Sequence, residues 1–256
     1  MASLQIEQVP VLSDNYVYLI YDPETQACAC VDPAESAPVK RRLDELGWKL
    51  THILNTHHHH DHIGGNLQLK QAYECQVVGC ARDAARIDGI DIELSDGQLF
   101  EFGSTTCKIF EVPGHTSGHI AFWFEKDQAL FCGDTLFALG CGRLFEGTAA
   151  QMWDSLSRFK ALPDETRVYC AHEYTQANAQ FAITIEPDNQ ALISRMADIK
   201  SLREANRPTI PSNIGLEKAT NPFLRPEETA VQKTLNMVGE DVVAIFAEIR
   251  QRKDHF

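Results

Sequence analysis

Five of the ten histidines in this 256-residue chain fall between positions 57 and 62, in the run T-H-H-H-H-D-H-I-G-G-N. The run follows the apolar stretch H-I-L-N, which reads as a strand, and precedes a helix-like segment at residues 64–74. A strand that delivers polar side chains into a turn before a helix is a common way to build a site on a rigid scaffold. In extended backbone, alternate side chains share a face, so His57 and His59 point together while His58 and His60 point away. Asp61 and His62 lie where the helix begins and aim at a neighbouring point. Two imidazoles in one direction, with a carboxylate and an imidazole just beyond, suit two adjacent metal ions. An internal run framed by strand and helix argues against a solvated tag-like tract.

Three further segments each end a strand with a donor: V-P-G-H-T-S-G-H, C-G-D-T and C-A-H-E-Y, contributing His115, Asp134 and His172. The set is five His and two Asp with no Cys. Such N/O ligation suits zinc, and also iron or manganese. A carboxylate bridges two cations readily, so Asp134 is the natural shared ligand. The expected division is His57, His59 and His115 on one ion, and Asp61, His62 and His172 on the other. Two divalent ions beside one water lower its pKa from ~15.7 to around 7, making hydroxide available at neutral pH. His52 and His119 have no comparable setting and are taken as structural.

Around this centre the chain reads as mixed strand and helix up to about residue 173. Strands are expected at residues 4–11, 16–21, 27–31, 52–55, 76–78, 105–112, 120–124, 129–132 and 167–171. These runs are short, rich in Val, Ile, Phe and Tyr, and bounded by Gly, Pro or Asp. Helices are expected at residues 37–46, 64–74 and 150–161. Beyond residue 173 the strand signal ends. Residues 175–185, 189–206 and 227–252 read as helices, with residues 207–223 as a Pro-rich loop. Residues 16–32 and 119–134 share a strand–turn–strand–Asp pattern, consistent either with two similar halves or with the frequency of hairpins.

Composition excludes several classes. With 36 Asp+Glu against 23 Lys+Arg, the formal charge is −13, which argues against a general nucleic-acid binder. No run of about 18 apolar residues marks a membrane span. The first residues lack the features of a signal or transit peptide. The eight cysteines form no C-x-x-C pair and mostly sit in apolar strand-like runs. They read as small core hydrophobes in a reducing cytoplasm, with Cys141, between Gly140 and Gly142, the one candidate for more. That Gly-Cys-Gly turn reads as a close approach of backbone to the site.

The H-x-H-x-D-H motif with downstream His115, Asp134 and His172 resembles the metallo-β-lactamase superfamily. Within it, nearly the whole chain resembles the glyoxalase II (hydroxyacylglutathione hydrolase) family. The likeness is carried by D-N-Y at 14–16, V-D-P at 31–33, F-C-G-D-T-L-F, G-C-G-R-L-F-E-G-T, A-H-E-Y-T and the terminal K-D-H-F. The G-C-G-R-L-F-E-G-T segment and the helical tail are the most specific of these. The resemblance implies an α/β protein, an αββα sandwich followed by a small helical domain. The expected domains are 1–173, holding the dinuclear metal site, and 174–256, binding glutathione.

The resemblance also implies the reaction: hydrolysis of S-(2-hydroxyacyl)glutathione thioesters, typically S-D-lactoylglutathione, the second step of methylglyoxal detoxification. Family positions that hold glutathione map onto Arg143, Phe145, Tyr174, Arg250 and Lys253. Arg143 stands where a Lys often occurs, keeping the cation with a different geometry. Phe145 stands where a Tyr often occurs, and is read mainly as wall. Arg250 and Lys253 are expected to be exposed charge contacts to the glutathione carboxylates. Asp61, besides ligating, is expected to orient the bridging hydroxide. A thiol with pKa near ~8.5 leaves as thiolate without a strong general acid. A monomer acting on a small molecule, with no nucleic acid and no membrane, completes the expectation.

Rival enzymes on the same scaffold fit less well. A common dizinc β-lactamase replaces one carboxylate by Cys. A persulfide dioxygenase uses one iron and usually lacks the long helical tail. A ribonuclease needs a basic face. A lactonase is opposed by the glutathione-contact segments. A non-catalytic scaffold would have lost ligands, and all seven are present.

Overall fold

The computed structural model describes residues 3–256. Its first sheet runs β1 (Gln5–Val11), β2 (Asn15–Tyr21), β3 (Cys28–Val31), β4 (His52–Leu54), β5 (Gln76–Cys80) and β6 (Ile92–Leu94), with neighbours in sequence paired in space. The second sheet begins with β7 (Leu99–Phe102), β8 (Thr105–Glu111), β9 (Ile120–Phe124) and β10 (Ala129–Gly133). A small separate hairpin follows, β11 (Leu136–Phe137) and β12 (Gly140–Cys141). Then β13 (Arg167–Cys170) joins β10 in parallel, and β14 (Ser212–Asn213) closes the edge.

The helices are α1 (Ser36–Leu46), α2 (His60–Ile63), α3 (Asn66–Tyr73), α4 (Ala149–Lys160), α5 (Thr175–Ile185), α6 (Gln190–Glu204), α7 (Ile214–Thr220), α8 (Thr229–Leu235) and α9 (Val242–Asp254). No helix among the described residues is long and apolar enough to cross a membrane.

Buried area explains the layering. β9 and β10, I-A-F-W-F and A-L-F-C-G, are buried at every position, as central strands covered on both faces must be. Tyr18, Phe102, Phe122, Phe124 and Phe131 fill the space between the sheets. The outer face of the first sheet is covered by Val39 and Leu43 of α1 and Leu69 of α3. α1 stops at Gly47, whose left-handed φ of +68° lets its N–H reach the carbonyls of Asp44 and Leu43. α4 starts with a capping box between Thr148 and Gln151. The result is the expected αββα sandwich with helices appended after β13.

The paired strand–turn–strand–Asp segments occupy equivalent places. β2 and β3 form an antiparallel hairpin whose second strand pairs in parallel with β4. β9 and β10 form another, whose second strand pairs in parallel with β13. Asp32 and Asp134 follow the second strand of each. The two sheets meet beside the site, where Tyr16 N–H donates to the Ala171 carbonyl at 2.7 Å.

Several expectations are corrected in the tail. The helix expected over 227–252 is two helices, because Asn236 takes a left-handed φ of +57° and Asp241 caps a new start at α9. The loop expected over 207–223 contains β14, α7 and a 3-10 turn at Pro222–Leu224. Strand structure therefore does not end at residue 173. β14 is only two residues long, and its pairing depends on β13, far away in sequence. β6, β7, β11 and β12, two to four residues each, are likewise too short to show a strand pattern in the sequence.

Candidate metal centre

Thr56 sets the entry to the histidine run. Its N–H and hydroxyl both donate to the Asp32 carboxylate, at 2.8 and 2.7 Å. His57 follows, fully buried, and His59 stands just before α2. The ring centroids of His57 and His59 are 4.6 Å apart, so these two do converge. His58 turns the other way and its Nδ1 lies 2.9 Å from Asp83 Oδ2. His60 is exposed on α2. α2 brings Asp61 and His62 round to the same point, and His115, Asp134 and His172 arrive from loops of the second sheet.

Asp134 lies between the two expected groups. Its carboxylate oxygens are 3.5 Å from His115 Nε2, 3.4 Å from His172 Nε2 and 3.6 Å from His62 Nε2. Asp61 Oδ2 lies 3.4 Å from His62 Nε2 and 3.5 Å from His172 Nε2. The donor atoms of His57, His59 and His115 lie within 4.8 Å of one another, as do those of Asp61, His62 and His172. The chain thus carries a His/Asp cluster able to bind metal ions.

Hydrogen bonding says the same. His57 Nε2, His62 Nε2 and Asp134 Oδ1 are buried with no hydrogen-bond partner among the described residues. Buried polar atoms of this kind need an explanation, and a cation supplies one. The opposite ring nitrogens are occupied. His62 Nδ1 faces Asp32 at 3.1 Å, His172 Nδ1 faces Asp14 at 2.9 Å, and His115 Nδ1 donates to the Arg143 carbonyl at 2.9 Å. Such bonds fix the tautomer that leaves Nε2 free to ligate.

Protonation favours the ligating forms on one side. Burial, helped by neighbouring imidazoles, pushes His57 well below its usual range and His59 down to about 4. Both are therefore neutral near pH 7, the form that binds metal. On the other side, burial opposes charge on His62, but Asp134 and Asp32 outweigh it and raise its pKa. The same attraction, against the effect of burial, holds Asp134 far below the carboxylate range.

The sequence reading missed the supports: Asp14, Asn15, Asp32 and His119. Asn15 Nδ2 donates to Asp61 Oδ2 at 2.9 Å. His119, taken as merely structural, stacks on His57 with centroids 4.6 Å apart, and its Nε2 accepts the Asp134 N–H at 3.1 Å. Asp32 had a visible signal, since it ends the first strand–turn–strand–Asp segment as Asp134 ends the second. His52 sits edge-on to Phe100 and Phe102, away from the cluster.

A cleft of about 520 Å³ opens over the cluster. His59, Asp61, His115, Asp134 and His172 form its floor, while Arg143, Phe145, Tyr174, Arg250 and Lys253 line its walls. Tyr174 stacks on His172 at 4.7 Å, and Phe145, largely exposed, leans on His115 at 5.1 Å. Arg250 is not the exposed contact that was expected. It is 5% accessible, donating from Nη1 to the Cys141 carbonyl at 2.8 Å and from Nη2 to Asp254 at 2.9 Å. The helical tail packs into the shared core there, so its arginine is drawn in. Cys141 is buried, and burial pushes its thiol up to about 11, which leaves it unreactive. The flanking glycine matters, since a Cβ on Gly142 would collide with the Asp134 carbonyl.

Residues 12–172 match the metallo-beta-lactamase superfamily, and residues 173–256 match the hydroxyacylglutathione hydrolase C-terminus. A hydroxyacylglutathione hydrolase of Methylococcus capsulatus is 60% identical over 99% of both chains. The chain belongs to the hydroxyacylglutathione hydrolase family. Another member, from Rhodospirillum rubrum, is 52% identical over the full length of both chains. Among solved structures, that of ETHE1 from Myxococcus xanthus superposes with a TM-score of 0.67 at 27% identity, over 97% of this chain and 98% of the other. Family membership accounts for both parts of the cleft, the acid–imidazole floor from the first matched segment and much of the cationic wall from the second.

Proposed function

We propose that the protein hydrolyses S-(2-hydroxyacyl)glutathione thioesters, typically S-D-lactoylglutathione, to glutathione and a 2-hydroxy acid, the second step of methylglyoxal detoxification. The observation that carries this reading is one cleft that joins the His/Asp floor to the walls formed by Arg143, Tyr174 and Lys253. The names of full-length relatives support it.

His57, His59 and His115 would hold one divalent ion, and Asp61, His62 and His172 a second, with Asp134 shared; zinc is the first choice, and iron or manganese also suit these donors. Bound there, the ions supply Lewis acidity, which acidifies water and polarises a carbonyl. Asp61 Oδ2, oriented by Asn15, accepts a hydrogen bond from the attacking water and aims it at the thioester carbon. Arg143 and Lys253 bind glutathione carboxylates, while Phe145 and Tyr174 form apolar walls. Arg250, rather than standing in solvent, shapes the same wall from behind. Attack at the carbonyl carbon forms the C–O bond, and collapse breaks the C–S bond. The leaving thiol has pKa near ~8.5, so the thiolate departs without a dedicated acid.

The charge of −13 makes long-range attraction of an anionic substrate weak, so the local cations do the recruiting. It also supports a small-molecule partner rather than nucleic acid or an anionic membrane. Eight free, buried cysteines support a reducing cytoplasm. We take the protein as a monomer with a metal domain at 1–173 and a helical glutathione-binding domain at 174–256. The test is metal analysis of the purified protein together with steady-state hydrolysis of S-D-lactoylglutathione. Two ions per chain with saturable turnover are expected. A metal-loaded protein that leaves the thioester intact refutes the reading.

A further inference from the structure

The hairpin β11–β12 spans the segment between Asp134 and Arg143, yet each of its strands is two residues long. A ladder so short cannot hold its own shape in water. Its turn residue Leu139 also sits at φ +59°, in the left-handed region that costs a non-glycine residue energy. Something outside the hairpin must hold it.

Arg250 of α9 and Asn178 of α5 each donate to one hairpin carbonyl, those of Cys141 and Ala138, and two further holders come from α7 and the residue that ends it. Leu139 N–H donates to Glu217 Oε2 at 2.8 Å. Asn221 Nδ2 donates to the carbonyls of Phe137 and Gly140 at 3.1 and 3.0 Å, and is 3.0 Å from Glu217 Oε2. Both side chains are fully buried. Glu217 is anchored in turn by Arg195 Nη2 at 2.5 Å and by the Ser212 hydroxyl. A buried carboxylate persists only when paired and hydrogen-bonded, and one of its bonds here reaches the hairpin turn.

The hairpin and the residues after it face the cleft. Phe137, Cys141, Gly142 and Arg143 line it, and the Arg143 carbonyl accepts from His115. We infer that Glu217 and Asn221 are positioning residues for the substrate side of the cleft, acting through residues 136–143 without touching substrate. The substrate part rests on the glutathione-thioester reading; the hairpin part rests on geometry alone.

Asn221→Asp is the sharpest variant. It preserves side-chain volume and the Oδ1 acceptor that caps Phe223 N–H at 3.0 Å, removes the amide donor, and sets a carboxylate oxygen 3.0 Å from Glu217 Oε2, so repulsion adds to the lost hydrogen bonds. Asn221→Ala is the companion. In the intact metal-loaded protein, amide hydrogen exchange over residues 136–143 should quicken at least about five-fold, the equivalent of one lost hydrogen bond. Exchange in β9 should stay unchanged. kcat/KM should fall at least about five-fold more for S-D-lactoylglutathione than for a small thioester without the peptide. In an Arg143→Ala background this difference should shrink, because the two residues act on the same contact. Unchanged exchange over 136–143, or equal losses on both thioesters, overturns the inference. Unfolding of both variants assigns Asn221 to global stability and also overturns it. If the unaltered protein fails to cleave the glutathione thioester, the functional reading fails, and hydrogen exchange alone decides the role of the hairpin clamp.

Discussion

His62 Nδ1 stands 3.1 Å from Asp32 Oδ2, beneath the floor of the cleft. The same carboxylate receives two hydrogen bonds from Thr56. Asp32 therefore fixes both the start of the histidine run and the ring of His62, five positions past its first member. It also occupies a left-handed φ of +50°, which Asp and Asn tolerate better than most residues.

Asp32→Asn keeps that backbone and removes the charge. Metal affinity should fall by about 10- to 100-fold, the usual effect of losing such a support. Chelator competition measures it, with circular dichroism as the fold control. Unaltered metal retention would show that His62 needs no orienting carboxylate.

The histidine run should divide by facing. His57→Ala and His59→Ala should each lose metal and activity. His60→Ala should change neither, because the ring is exposed on α2. His58→Ala should keep metal but lose roughly 1 kcal/mol of stability, since Asp83 loses one buried partner while Arg86 remains. Metal analysis and urea unfolding of the four variants decide this. Equal metal loss at all four positions contradicts the geometry.

Asp134 separates the two donor groups. Two cations a few ångströms apart repel unless an anion lies between them. Asp134→Ala should drop metal content towards one ion per chain and largely abolish thioester hydrolysis. Near-normal turnover with two ions retained would remove Asp134 from its shared position.

Lys253 and Arg250 should behave differently despite their proximity. Lys253 lines the cleft over the Phe181 and Phe256 rings, and burial together with Arg250 and Arg143 lowers its pKa. Lys253→Ala should raise KM for the glutathione thioester about five- to ten-fold and leave kcat nearly unchanged, as loss of uniform binding does. Arg250→Ala should instead cost about 2 kcal/mol in stability, because the buried Cys141 carbonyl loses its donor while Asp254, partly exposed, is screened by water. Kinetics paired with thermal unfolding separates them. An Arg250 variant of full stability would restore the simpler picture of a surface contact.

Asp22 provides a pH test remote from the metal cluster. Burial raises its pKa, but hydrogen bonds from Thr25 and from the Ser104 and Glu24 backbone outweigh burial and bring it down to about 2. These bonds tie the turn after β2 to the turn between β7 and β8, and so link the two sheets. The folded value lies below the unfolded one of ~3.9, so the stabilisation is complete above that pH and vanishes as pH falls towards 2. Asp22→Asn should be about 2 kcal/mol less stable at pH 7, with the deficit closing in acid. Urea unfolding from pH 2 to 7, at matched metal content, is the measurement. A deficit that ignores pH would rule out the charge as its origin.

The donor identities were legible in the chain because metal ligation restricts residue type and spacing. H-x-H-x-D-H can be recognised one residue at a time, and alternation sends His58 away from His57 and His59. Central strands were legible too, since β9 and β10 are apolar throughout and β2 is apolar or aromatic after Asn15, and all three bury almost everything they carry. The boundary inside residues 227–252 was not, because a single left-handed residue, Asn236, ends α8 within a run that otherwise reads as helix.

Tertiary structure alone decided how the cluster is supported and how deeply each cleft residue is buried. Asp14 and His119 carry no sequence signal of a supporting role and Asp32 only its place at the end of a strand–turn–strand segment; they matter because folding brings each against a particular ring or backbone N–H. Arg250 reads as a surface cation, yet the packing of α9 buries it and turns it towards the Cys141 carbonyl. Glu217 and Asn221 lie far along the chain from the hairpin they hold. Ligand chemistry is a property of the side chain itself, which one sequence displays. Support is a property of distance between segments, and only the folded chain sets those distances.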